Sequence, residues 1–209
     1  MSKIIVVGIG PGDKKYITAA ALEKIKAAKF LVGGRRSLAE FSTENQITFP
    51  ITADLVSAVE FIKTKLEISD VVVMVSGDPG YYSFLPYLKK NIATADFEVI
   101  PSISSIQLAF AKLCLSWESA TLLSFHGRKP SDIELNFVEG KVLGLLTDAE
   151  FNSASVAKIL IEHGWRVDTK IAICSRLSYA DENIEITTLG EVTKAVANCV
   201  LIVNFFDNL

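Results

Sequence analysis

Runs of apolar residues alternate with amphipathic stretches along the whole chain. KIIVVGIG, from Lys3, is a nearly continuous apolar run and predicts a strand buried on both faces. TAAALEKIKAA predicts a helix capped by Thr18. FLVGG predicts a short strand ending at Gly33 and Gly34. In ADLVSAVEFIKTKLE, the spacing of Leu55, Val56, Val59, Ile62 and Leu66 places them on one helical face. VVVMV and FEVI predict strands, YSFLPYLKKNIA a helix in spite of its proline, and SSIQLAFAKLC a helix opened by Ser104 or Ser105. Strands without polar alternation, separated by helices, predict a parallel α/β sheet.

At LSWESA, Leu115 to Ala120, the pattern pauses and restarts. TLLSF, KVLGLLT, KIAICSR, NIEITTL and CVLIVNFF then read as strands. SASVAKILIEHGW reads as a helix closed by Gly164, and LGEVTKAVAN as a shorter helix. NIEITTL alternates apolar and polar residues, which suits an antiparallel strand with one exposed face. The expectation is two α/β domains: 1–115 with a mainly parallel sheet, and 120–209 with a mixed one.

Composition narrows the classes. The chain has 209 residues, half of them hydrophobic, enough for real cores. The formal charge is −3 and no basic stripe is present, which argues against a nucleic-acid partner. The N-terminus runs straight into a strand, and no apolar segment approaches membrane-spanning length. These features predict a cytoplasmic protein with no membrane partner. Cys114, Cys174 and Cys199 are scattered, form no CxxC, and are expected to be buried free thiols. No metal site is expected.

Candidate chemistry gathers at strand ends. GIGPGD, Gly8 to Asp13, follows the first strand; its proline and the late helix start set it apart from a dinucleotide fingerprint. SGDPG, Ser76 to Gly80, and PSISSIQ, Pro101 to Gln107, close two further strands. Each is open to a plain reading, as a glycine turn, an Asx turn and a pair of helix N-caps. Three such loops in one half of the chain fall along one edge of one sheet, the place where open α/β sheets bind ligands. SFHGR follows the first strand of the second half, and its His126 is either a structural, exposed histidine or a site residue. Walker A, HExxH and G-x-S-x-G motifs are missing, which points to chemistry run by positioning a reactive cofactor.

On VVGIGPGD, SGDPGYYS and PSISSIQLAFAKL the sequence resembles the tetrapyrrole methylases, two-domain methyltransferases that use S-adenosylmethionine. LVGGRRSLAEF, SGDPGYYSFLPYL and LLSFHGR are similar to the cobalt-precorrin-7 C5-methyltransferase branch of cobalamin synthesis. The resemblance runs from Lys3 to about Asn204. It implies a cleft between the domains, a (cobalt-)precorrin substrate methylated at C5, and a homodimer. Some members of the branch carry a fused C15-methylating decarboxylase domain; at this length the chain is expected to perform the C5 step alone.

By the same resemblance Gly77, Asp78, Tyr81, Ser104 and Ser105 bind the cofactor, with Thr147 adding contacts. Gly10, Pro11, Gly12 and Asp13 border the macrocycle. Arg35, Arg36 and Arg128 are either carboxylate-binding forks or members of ordinary ion pairs. His126 and Asp13 are the candidate bases. The family segment has glycine where this chain has Ser102, which fits only if the backbone there avoids positive φ. Two other readings stay open: the same fold acting on another precorrin position, ribosomal RNA or a modified protein histidine, and a non-catalytic nucleotide-binding module.

Overall fold

The computed structural model describes residues 2–205. It divides into two compact units, 1–104 and 105–209. In the first, strands β1 (Lys3–Gly8), β2 (Phe30–Gly33), β3 (Ile47–Pro50), β4 (Val71–Val75) and β5 (Asp96–Ile100) form one sheet in the order β3-β2-β4-β1-β5. All pairings are parallel, with Ile4 opposite Val71 and Phe97. Helices α1 (Ala19–Ala27), α2 (Arg35–Phe41), α3 (Leu55–Leu66) and α4 (Leu85–Asn91) cover it.

The uninterrupted apolar strands follow from this double cover. Ile4, Val6, Val71 and Val73 face one way and pack with Val59 and Ile62 of α3 and Leu88 of α4. Ile5, Val7, Val72 and Met74 face the other way and pack with Ala21 and Ile25 of α1 and Leu38 of α2. Adjacent strands β1 and β4 therefore send their following helices to opposite faces. This opens a crevice at their carboxyl ends, the switch point at which α/β sheets take ligands.

Local signals are met at most element ends. Thr18 Oγ1 accepts the Ala21 N–H at 3.1 Å. The proline of α4 falls in the first turn, where its missing N–H costs nothing. Two details differ from the sequence reading. Val56 points out to solvent, 64% exposed, and Ala58 joins Val59 and Ile62 on the buried face of α3. β3, a half-exposed edge strand, was not foreseen.

In the second unit, α5 (Ser105–Lys112), β6 (Thr121–Ser124), α6 (Asp132–Leu135), β7 (Leu143–Leu146), α7 (Ser153–Glu162), β8 (Lys170–Ser175), β9 (Asn183–Thr188) and β10 (Val200–Val203) build a sheet in the order β6-β7-β10-β8-β9. Only β6 and β7 run parallel; the other pairings are antiparallel, so the sheet is mixed as expected. Its core places Trp165, Leu160 and Val156 against Leu143, Leu145, Ile171 and Leu201. α5 packs with this unit, on β7 and β10, so the units divide before this helix and not after it. Gly144 makes that packing close: a Cβ there would sit 3.0 Å from Phe110 Cε2 and 2.8 Å from Leu122 Cδ2.

The helix expected over LGEVTKAVAN does not form; only a 3-10 turn at Leu189–Glu191 does. The following segment bonds across the chain. Ser153 N–H donates to the Val196 carbonyl at 3.0 Å, Ser153 Oγ to the Lys194 carbonyl at 2.7 Å, and Val196 N–H to Ser153 Oγ at 2.9 Å. Backbone groups taken by the start of α7 are unavailable for helical bonds. Cys174 and Cys199 are buried free thiols, but Cys114 is exposed, at a positive φ of 55°. Among the described residues no helix is long and apolar enough to cross a membrane.

Candidate active site

The loops after β1, β4 and β5 meet at one point. Gly77 N–H donates to the Gly10 carbonyl at 2.9 Å, and Gly10 N–H returns to the Gly77 carbonyl at 3.4 Å. Both glycines are left-handed, with φ of 77° and 66°, which explains why these two positions are glycine. Gly8 lies under the loops after β4 and β5. A Cβ there would be 2.7 Å from the Gly77 oxygen, 2.7 Å from Ser102 Cβ and 2.8 Å from Pro79 Cδ. A Cβ on Gly77, by contrast, would meet nothing nearer than Ser104 Cα at 3.6 Å. The crevice thus has a tightly packed floor at Gly8, and at Gly77 room for an added atom in ordinary contact with Ser104.

The remaining sequence-predicted residues of this unit divide by role. Asp78 binds backbone: Oδ1 accepts the Gly80 N–H at 2.7 Å and Oδ2 the Ser102 N–H at 2.9 Å. Ser102 is not among the positive-φ residues, so serine fits where the family has glycine. Ser104 is buried beside Gly77, and Ser105 opens α5 in the second unit. Tyr81 stacks edge-on with Tyr82 at 4.7 Å, and burial pushes its phenol well above the usual range. Gly12 and Pro11 lead to Asp13, which caps a 3-10 turn by accepting the Lys15 N–H at 2.9 Å. That bond, with the Lys15 ammonium 3.2 Å away, holds the Asp13 carboxyl below its ordinary value. It is a weak base in this state. Arg35 and Arg36 are exposed on the first turn of α2, where β2 ends.

In the second unit the ends of parallel β6 and β7 bring His126 and Thr147 together. His126 Nδ1 lies 3.5 Å from the Thr147 carbonyl, and the ring is exposed. The Thr147 hydroxyl is committed: it donates to the Cys199 carbonyl at 2.8 Å and accepts the Cys199 N–H at 2.9 Å. Its backbone is engaged as well: the Thr147 N–H donates to the Cys199 carbonyl at 3.2 Å, and its carbonyl faces His126. Arg128 is exposed on the same loop.

Asp148 was missed by the sequence reading. Its Oδ2 accepts the Gly127 N–H at 2.8 Å, and its Oδ1 accepts those of Phe151 at 2.7 Å and Glu150 at 2.9 Å. An acid two residues past a strand, in position to open an Asx turn, was the available signal. These bonds, the Gly127 one foremost, hold its carboxyl below the ordinary 3.8. A lowered folded-state value means the tie to Gly127 is present above the unfolded pKa and is lost as pH falls through the folded one. The Gly127 amide resonance is therefore expected to titrate with a midpoint below 3.8. A midpoint at or above it would show that Asp148 does not hold the loop.

The family model for tetrapyrrole (corrin/porphyrin) methylases matches residues 3–193. The chain is 34% identical over 195 residues to the probable cobalt-precorrin-7 C(5)-methyltransferase of Methanocaldococcus jannaschii, covering 90% of each protein. It is 31% identical over 161 residues to the cobalt-precorrin-7 C(5)-methyltransferase of Salmonella typhimurium, covering 77% of this chain and 79% of that one. Among solved structures, the methyltransferase CobJ superposes with a TM-score of 0.85 at 19% identity, covering 98% of this chain and 94% of that chain. Uroporphyrin-III C-methyl transferase from Thermus thermophilus, complexed with S-adenyl homocysteine, gives 0.78 at 18%, covering 97% of each. At such identities the structures speak for the fold, while the sequence matches speak for descent. The chain belongs to the tetrapyrrole (corrin/porphyrin) methylases.

Proposed function

We propose that the protein is an S-adenosylmethionine-dependent C-methyltransferase that acts on C5 of a (cobalt-)precorrin macrocycle in cobalamin biosynthesis. The observation that carries the cofactor reading is the crevice at the β1–β4 switch point, closely packed at Gly8 and with room for an added atom at Gly77 beside Ser104. A Cβ at Gly77 would enter that opening, as expected of a backbone that a ligand approaches closely. The C5 position rests on the names of the two relatives above.

In this reading the backbone of Gly77 and the neighbouring Ser104 hold the cofactor, with Tyr81, Ser105 and Thr147 as further contacts. S-Adenosylmethionine supplies an already activated methyl group. The protein's part is alignment of a nucleophilic macrocycle carbon with that group, which needs placement more than acid–base power. Gly10, Pro11 and Gly12 border the macrocycle. Arg35, Arg36 and Arg128 attract its carboxylates, a role the mildly acidic chain assigns to local cations. His126, exposed and carrying a ring nitrogen toward the Thr147 carbonyl, is the better placed of the two candidate bases; Asp13 is already engaged with Lys15. The protein works as a cytoplasmic homodimer, without a nucleic-acid, membrane or resident metal partner.

The decisive experiment is turnover of cobalt-precorrin-7 with S-adenosylmethionine, with the product located by mass and NMR; methylation elsewhere, or none, overturns the C5 reading. Gly77→Val, which both fills the room beside Ser104 and strains the turn at its left-handed φ of 66°, is expected to abolish S-adenosylhomocysteine binding while the sheet beneath stays folded. Normal calorimetric binding by the folded variant would remove this turn from the cofactor site. Arg36→Ala or Arg128→Ala is expected to weaken macrocycle binding about tenfold or more and leave cofactor affinity unchanged. Equal macrocycle affinity in variant and wild type would remove that arginine from the site.

A further inference from the structure

Asp78 is the acid of the glycine-rich turn after β4, and the backbone takes both of its oxygens. The bond to Gly80 N–H stays inside the turn and is an Asx turn of the ordinary kind. The bond to Ser102 N–H is different. It spans 24 residues of sequence and joins the turn after β4 to the segment after β5. These two strands are not neighbours, because β1 lies between them. The carboxylate therefore bridges over the end of β1, directly above Gly8, whose Cα face touches Gly77, Pro79 and Ser102.

On either side of this bridge stand the residues that border the open space, Gly77 and Ser104. Their separation is set by two constraints. Contact at Gly8 limits how deep the loops can sink. The Asp78–Ser102 bond limits how far they can part. A carboxylate accepting two N–H groups is charge-assisted and stronger than neutral pairs, so it suits this second task.

We propose that Asp78 is a positioning residue and not a cofactor ligand: its carboxylate fixes the spacing between the Gly77 turn and the 101–105 segment, and with it the width of the cofactor space. This rests on the reading that these loops hold S-adenosylmethionine. Asparagine at 78 keeps the shape but offers a single acceptor oxygen, so one of the two N–H bonds must be lost. Serine at 78 can still accept from Gly80 in an ST turn and is too short for Ser102, which isolates the long-range bond.

The test uses the full chain. In the ligand-free protein, Asp78→Ser is expected to speed amide hydrogen exchange at Ser102 about tenfold or more, and Asp78→Asn to speed it at Ser102 or Gly80, whichever bond it gives up. Calorimetry should show S-adenosylhomocysteine binding weakened about tenfold or more in folded Asp78→Ser, and in Asp78→Asn to the extent that Ser102 exchange shows its bond lost. The same titration with the analogue lacking the 2′- and 3′-hydroxyls separates the two roles. A carboxylate that touched the ribose would lose its effect on that analogue, whereas a positioning residue costs the same factor for both ligands. Unchanged Ser102 exchange or wild-type affinity in Asp78→Ser, or a loss that vanishes with the deoxy analogue, would overturn the proposal. Gly77→Val serves as the reference. If it abolishes binding while Asp78→Ser binds normally, the positioning role alone fails. If neither it nor the wild type distinguishes the ligand, the cofactor reading fails and the proposal falls with it.

Discussion

Alanine at position 8 is expected to cost about a hundredfold in S-adenosylhomocysteine affinity, more than any single polar substitution around the crevice. The added methyl would lie 2.7 Å from the Gly77 oxygen, 2.7 Å from Ser102 Cβ and 2.8 Å from Pro79 Cδ. None of these is the far end of a flexible chain. Gly77 is held by its paired bonds to Gly10, Pro79 by its ring, and Ser102 by Asp78. Relief requires all the loops to lift by several tenths of an ångström. Overpacking of this kind costs roughly 1–3 kcal/mol of stability. A displacement approaching 1 Å at a site of this type costs about 10²-fold in function. Binding should therefore fall further than stability does. The measurement is calorimetry beside amide exchange in β1 and β4 of the same variant, which reads the stability of this unit. Wild-type affinity in Gly8→Ala would mean the loop floor does not set the ligand space.

Much of this arrangement is legible in the sequence, for a physical reason. Strands buried on both faces must be continuously apolar, so KIIVVG and VVVMV announce a doubly covered parallel sheet without further help. The turns are legible too, because left-handed positions select glycine locally, as at Gly10, Gly77 and Gly164. What the sequence hides is set by register between distant segments. Nothing near Asp78 says that its second oxygen will find Ser102, and nothing near Asp148 points to Gly127. Gly8 reads as the end of a strand; its packing role exists only once the loops after β4 and β5 lie over it. β3 escaped notice because four residues with a half-exposed pattern and a proline carry no periodic signal. LGEVTKAVAN misled for the opposite reason. Its apolar spacing is helical, but the bonds offered by Ser153 at the start of α7 win over a short helix of weak propensity.

The second large effect concerns Trp165, the largest fully buried side chain of its unit. It follows Gly164, whose φ of 88° turns the chain sharply after α7 and drops the indole into the core. There it packs among Leu160, Leu135 and Leu201, with Phe137 edge-on at 5.3 Å. The indole N–H donates to the Leu135 carbonyl at 2.7 Å. Trp165→Ala removes the ring and orphans that carbonyl, and it is expected to cost about 3–5 kcal/mol. Trp165→Phe keeps most of the packing and loses the hydrogen bond, for about 1–3 kcal/mol. Because the chain has two compact units, a single global unfolding curve is the wrong observable. Amide exchange in β7 and β10 reads the effect where it arises. These strands also carry the Thr147–Cys199 bonds, which anchor the carbonyl beside His126. The alanine variant should therefore speed exchange at the Cys199 amide along with the core. Protection at Cys199 that survives a destabilised core would separate the His126 loop from the packing beneath it, and would place its order in Asp148 and the local turn alone.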